Sequence, residues 1–136
     1  MKLLIDANIL LDVLQKREPH YEQSALIWKL CEAERAEGCV TALSLANLVY
    51  VMRKELNPEQ VEDVLRRLAL IFRVVDLTAS DIERAALFRW NDFEDALQSA
   101  AAERIHADCI ITRNTRDFRN SKVAALTPSE YLRGIQ

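Results

Sequence analysis

"KLLIDANILLDVL", residues 2–14, changes its hydrophobic period at Asp6. Residues 2–5 carry a short continuous apolar run, and "NILLDVL" then spaces its apolar side chains as a helix does. A run of that length, too brief for a helix and broken by a carboxylate, reads as a buried strand that ends at Asp6 and leads straight into a helix. The same unit recurs downstream. "CVTAL" (39–43), "RVVDL" (73–77), "CIIT" (109–112) and "VAAL" (123–126) are further strand candidates, each separated from the last by sequence with helical spacing or capping signals.

The helices between them carry recognisable ends. Pro19 starts a helix over residues 19–37, with Gly38 suited to its C-terminus. Ser44 is positioned to cap residues 45–56, and Asn57 with Pro58 opens a helix running to about Ile71. Ser80 and Glu83 form a capping box for residues 81–90. Asp92 then caps the helix that begins "FEDALQSA", and Thr127 with Pro128 starts a terminal helix. Five short apolar strands interleaved with helices predict an α/β fold, a parallel sheet covered by helices on both faces. Right-handed crossovers narrow the topology, and ligands of such sheets bind beyond the strand C-termini where strand order reverses.

Composition fits one helix-rich domain over residues 1–136. Half of the 136 residues are hydrophobic, 29% are charged, and only two are Gly, so a core can form without staples. The opening run stops at Asp6, too soon for a signal peptide or a membrane span, which predicts a cytoplasmic protein without membrane contact. Cys31, Cys39 and Cys109 show no metal-binding spacing and are expected to be core residues. His20 and His106 flank helix ends and read as structural. With a net charge of −3 the chain has no general basic excess, so any nucleic acid must be met by a local patch. Arg113, Arg116, Arg119 and Lys122 supply one. Trp90 and Phe93 are available for base stacking, but such residues more often belong to the core.

The strand ends concentrate polar groups: Asp6 after the first, Ser44 and Asn47 after the second, Asn114 after the fourth. Asp95 begins a helix, where a carboxylate three residues after Asp92 is equally well explained by capping and the helix dipole. If Asp6, Asp95 and Asp117 converge, their charges require raised pKa values or a cation. Oxygen donors without a His or Cys set favour Mg²⁺ or Mn²⁺ over zinc. A phosphate-handling enzyme of another kind is disfavoured, because no glycine-rich loop follows any strand.

Taken together, "LLIDANILLDVL", "SLANLVYVM" and "FEDALQSAAAERIHADCIITRNTRDF" resemble the PIN domain family, in particular its VapC-type toxins, over nearly the whole chain. The resemblance implies a three-layer fold with a parallel sheet of four or five strands and a Mg²⁺- or Mn²⁺-dependent endoribonuclease hydrolysing RNA. It implies a cognate antitoxin and a homodimer, for which exposed apolar residues within 45–72 would be available. Asp6 and Asp95 match the family's acidic positions, Asn8 matches the polar residue of the first motif, and Asn114 takes a further acidic position with Asp117 three residues on. The resemblance thus assigns catalysis to Asp6, Asp95 and Asp117, and metal ligation to these with Asn114. Asn8, Ser44, Asn47, Asp92 and Thr112 would surround them, and Arg113 and Arg116 would contact RNA. Where many members place a Glu, this chain has Asn47, which brings no charge and cannot act as a base. That departure keeps a second reading open, a weakened or inactive PIN-like module that binds RNA or a protein.

Overall fold

A computed structural model of the protein describes residues 1–134; the last two residues of the domain expected over 1–136 lie outside the described residues. The elements alternate as expected: β1 (Lys2–Ile5), α1 (Ala7–Leu14), α2 (Tyr21–Glu32), β2 (Glu37–Thr41), α3 (Ala42–Val51), α4 (Pro58–Ile71) and β3 (Arg73–Val75). They continue through α5 (Ala79–Phe88), α6 (Phe93–Arg104), β4 (Cys109–Ile111), a 3-10 turn (Thr115–Phe118), β5 (Ala125–Leu126) and α7 (Pro128–Gly134). The strands form one parallel sheet in the order β3-β2-β1-β4-β5. Strand order therefore reverses between β1 and β4.

The pleat sends alternate side chains to opposite faces. On one face Leu3 and Ile5 join Ile9, Ile27, Val40, Leu48, Leu68, Phe72 and Tyr131, drawing in α1, α2, α3, α4 and α7. On the other, Leu4, Cys39 and Ile110 pack with Ala102 of α6, with Ile105 at its C-cap and with Phe118. Fully buried side chains such as Leu48 and Phe72 each contribute ~1.5–3 kcal/mol relative to exposure. The small residues Ala96, Ala100, Ala101 and Ala102 are buried along α6. They let its backbone approach the sheet and α5 closely, and so bring its N-terminus to the strand ends.

Several boundaries differ from the sequence reading. Gly38 does not end α2 but lies inside β2, where a Cβ would sit 2.6 Å from Cys31 Sγ and 2.7 Å from the Phe72 ring. The end of α2 is formed instead by Glu34 in the left-handed region (φ 59°), with Arg35 N donating to Leu30 O, the bond that closes a Schellman turn. Pro19 lies in the turn before α2, whose N-cap is His20. Thr41 rather than Ser44 caps α3, its hydroxyl accepting from Ser44 N at 3.1 Å, so Ala42 and Leu43 are helical. The α5 capping box is Thr78 with Asp81, displaced two residues from Ser80 and Glu83. Arg104 decides that register: its Nε bonds Asp81 Oδ1 at 2.9 Å, which fixes the wholly buried Asp81 at the start of the helix. All three cysteines are buried and free, and burial pushes the thiol of Cys31 up to about 12 and that of Cys109 to about 11. They are packing residues, as expected.

Candidate active site

Asp6 stands where β1 stops, between the two strands at which strand order reverses. Its backbone N–H still donates to Ile111 O of β4 at 2.9 Å, while its carboxylate caps α1 by accepting from Asn8 N at 3.5 Å. The other oxygen is fixed from β4: Thr112, fully buried, donates from Oγ1 to Asp6 Oδ2 at 2.7 Å. Thr112 Oγ1 also accepts from Asn114 N at 3.1 Å. One hydroxyl thus sets the rotamer of Asp6 and the path of the loop that carries Asn114 and Asp117. Asn114 and Asp117 are themselves exposed.

From the opposite side comes α6. Asp92 is its N-cap, accepting from Asp95 N at 3.1 Å, and Asp95 occupies the third helical position. Burial, reinforced by the charges of Asp92, Asp6, Asp117 and Glu94, pushes the Asp95 carboxyl up to about 7. All the charged groups acting on it are carboxylates. The charges of Asp6 and Asp117 thus both act to raise the Asp95 carboxyl. Even so, among the described residues no three carboxylate, imidazole or thiol groups are drawn together into a ready metal cage. The charged groups that act on Asp95 are thus like charges that carry oxygen donors.

The surrounding residues divide. Ser44, buried, accepts from Thr41 Oγ1 at 3.1 Å and helps hold the start of α3. One turn later Asn47 reaches across to α6, its amide donating to Glu94 Oε2 at 3.1 Å. Glu94 is exposed, and its carboxylate is held by the amide that stands in place of the expected Glu. The two cations assigned to RNA part company. Arg116 is exposed, whereas Arg113 turns inward, its Nε 3.0 Å from Oδ2 of the wholly buried Asp12. Ser24 Oγ donates to the same oxygen at 3.0 Å; among the described residues neither Asp12 Oδ1 nor Arg113 Nε has a hydrogen-bond partner, so the Arg113–Asp12 contact is an ion pair. Asp12 did not stand out in the sequence, where an aspartate amid the apolar residues of "ILLDVL" was the available signal. The contact between Asn47 and Glu94 had no signal, because the two lie 47 residues apart.

A PIN domain model matches residues 2–116 of the chain. The chain is a member of the PIN domain family. Its fold is shared with a toxin-antitoxin complex from Klebsiella pneumoniae, at TM-score 0.72 and 22% identity over 93% of this chain and 97% of that one. It is shared equally with FitAcB from Neisseria gonorrhoeae, at TM-score 0.72 and 20% identity over 93% and 98% of the two chains. The Mycobacterium tuberculosis VapC20, a sarcin-ricin loop cleaving toxin, is similar at TM-score 0.64 and 15% identity over 79% of this chain and 86% of that one. No curated protein matches by sequence.

Proposed function

We propose that this PIN domain protein is a metal-dependent endoribonuclease that hydrolyses RNA phosphodiester bonds, and that it is the toxin of a type II toxin-antitoxin pair. The observation that carries the reading is the geometry at the switch point of the sheet, where Thr112 fixes the Asp6 carboxylate at the end of β1 and the charge of Asp6 helps raise the carboxyl of Asp95 at the start of α6. A divalent cation would relieve that repulsion, and the all-oxygen donor set suits Mg²⁺ or Mn²⁺, which keep part of their water shell. Asp6 and Asp95 would hold it, with Asp117 and Asn114 completing the set directly or through water. When bound, the cation lowers the pKa of water and offsets charge developing on the phosphoryl oxygens. Thr112 keeps Asp6 in one orientation, and Asn47 holds Glu94 at the rim, so a negative charge stands near the position from which it would otherwise be missing. Asp6, which accepts from Asn8 N, and Asp92 cap the starts of α1 and α6. RNA contact falls to Arg116, with Arg113 acting mainly through Asp12.

Toxin-antitoxin complexes among the structural neighbours support an antitoxin partner. Exposed apolar residues such as Tyr50, Val51 and Leu70 give an antitoxin or a second copy of the chain surfaces to cover. Among the described residues no helix is long and apolar enough to cross a membrane, and we place the protein in the cytoplasm. The alternative of a binding module without cleavage draws on Asn47 and Asn114, which carry no charge. Titrating Mn²⁺ into the protein with a defined RNA separates the two: cleavage that depends on the ion and is lost in Asp6→Asn and Asp95→Asn is the expected result. Binding without strand breakage at any Mn²⁺ concentration would overturn the nuclease reading, and undiminished cleavage by the two variants would overturn the residue assignment.

A further inference from the structure

Glu94 stands at the second position of α6, immediately before Asp95, and is exposed. A long carboxylate in that setting ordinarily moves freely in solvent, since fixing it costs rotamer entropy. Here it is held. The amide of Asn47, half-buried on α3, donates from Nδ2 to Glu94 Oε2 at 3.1 Å. The two helices meet without this bond, because Leu43, one turn earlier on α3, packs against the cluster formed by Ala96, Leu97 and Ala100 of α6. Electrostatics makes the arrangement costlier still. Asp92, Glu94 and Asp95 share the start of one helix, and the charges of Glu94 and Asp6 act on the same Asp95 carboxyl. Immobilising one of several like charges is unfavourable for the chain alone, and a cation shared among them recovers that cost.

Resting on the cation site of the nuclease reading, we infer that Glu94 is a further carboxylate of that site, fixed by Asn47 and acting on the water shell of the ion. Asn47 supplies the orientation and Glu94 the charge, so two helices divide what one acidic side chain would otherwise do. A single amide bond occupies one of the roughly four lone-pair sites of a carboxylate. Glu94 therefore keeps acceptors for a water of the shell that Mg²⁺ or Mn²⁺ retains. Asn47→Glu by itself would set two carboxylates face to face, so the amide at position 47 belongs with the acid at position 94.

Mn²⁺ binding to the full chain without RNA, followed by electron paramagnetic resonance of the free ion, tests this. Glu94→Gln keeps a carbonyl acceptor for the Asn47 amide and removes only the charge. It should weaken Mn²⁺ binding about tenfold, the usual cost of losing an outer partner of a bound metal, while the urea midpoint in EDTA stays unchanged. Asn47→Ala keeps the charge but frees it, and should weaken Mn²⁺ by less than Glu94→Gln does. Asn47→Glu combined with Glu94→Gln exchanges acid and amide between the helices and should recover most of the lost affinity. Parent affinity in Glu94→Gln, beside loss of binding in Asp6→Asn, overturns the inference and leaves the nuclease reading standing. A loss that the exchanged pair does not recover refutes the division of roles. Mn²⁺ binding that depends on Glu94 without any RNA cleavage sinks the nuclease and spares Glu94, and a parent that binds no Mn²⁺ overturns both.

Discussion

Asp95→Asn should stabilise the metal-free protein at neutral and alkaline pH while removing a charge that the proposed site needs. The carboxyl is pushed from the usual 3.8 to about 7 by burial and then by Asp92, Asp6, Asp117 and Glu94. A shift of about three units corresponds to ~4 kcal/mol at full value. Asp95 is only partly buried, and solvent screening leaves roughly half or less of this, ~1–2 kcal/mol. Asn also forfeits the favourable placement of a negative charge in the first turn of α6, ~0.3–1 kcal/mol. The net gain is ~1 kcal/mol, about 3–4 °C in Tm for a chain of this length. Because the folded pKa lies above the unfolded one, the folded state binds the extra proton. The parent's stability therefore falls as pH rises from about 4 to about 7 and is level above that. The advantage of the variant should thus be small near pH 4.5, grow through that window and stay constant at about pH 8. Urea unfolding followed by circular dichroism in EDTA at the two pH values measures it. Mn²⁺ should narrow or reverse the order, since an ion that binds only the folded state stabilises the parent more. A variant no more stable than the parent at the higher pH, or one equally favoured at both, refutes the charge-repulsion argument.

Two further pairs of measurements follow from the cation placements. Arg113→Ala leaves Asp12 wholly buried with only Ser24 as partner and should cost ~2–4 kcal/mol of stability. Arg116→Ala, at an exposed site, should change stability by less than ~0.5 kcal/mol while weakening RNA binding, and thermal melts beside a binding titration would expose the opposite pattern if the assignment is wrong. Arg104→Leu removes the partner of the buried Asp81. Although burial works to raise that carboxyl, its bonds to Arg104 and Thr78 hold it below the usual range. A depressed folded pKa contributes stability that is present above the unfolded value and lost as pH falls through the folded one. Arg104→Leu should therefore cost ~2–4 kcal/mol at neutral pH and flatten the acid limb of the stability curve. An unchanged urea midpoint at neutral pH would show that the pair contributes nothing.

Much of the fold was legible because the relevant physics is local. The period change at Asp6, the Asn57–Pro58 start of α4 and the Asp92 cap each depend on residues within one turn, and all three stand where the sequence put them. The structure departs from the local signal where a distant partner outweighs it. Ser80 and Glu83 satisfy the spacing of a capping box, yet Thr78 and Asp81 form it because Arg104, 23 residues on, anchors Asp81. Gly38 looked like a helix terminator, but Cys31 and Phe72 require the space a side chain would fill. Arg113 looked like a free cation until the fold set Asp12 beneath it.

By itself the sequence determined the strand-helix alternation, the parallel sheet and the placement of Asp6, Asn114 and Asp95 at element ends, because hydrophobic period and capping chemistry act over a few residues. Only the tertiary structure decided that strand order reverses between β1 and β4 and that small residues pack α6 against the sheet and α5. It alone set Thr112 to orient Asp6 and gave Asn47 a carboxylate partner in Glu94. Those outcomes depend on distances between groups up to 106 residues apart in the chain, and Coulomb repulsion and hydrogen bonding act on distance in space, which no local pattern encodes.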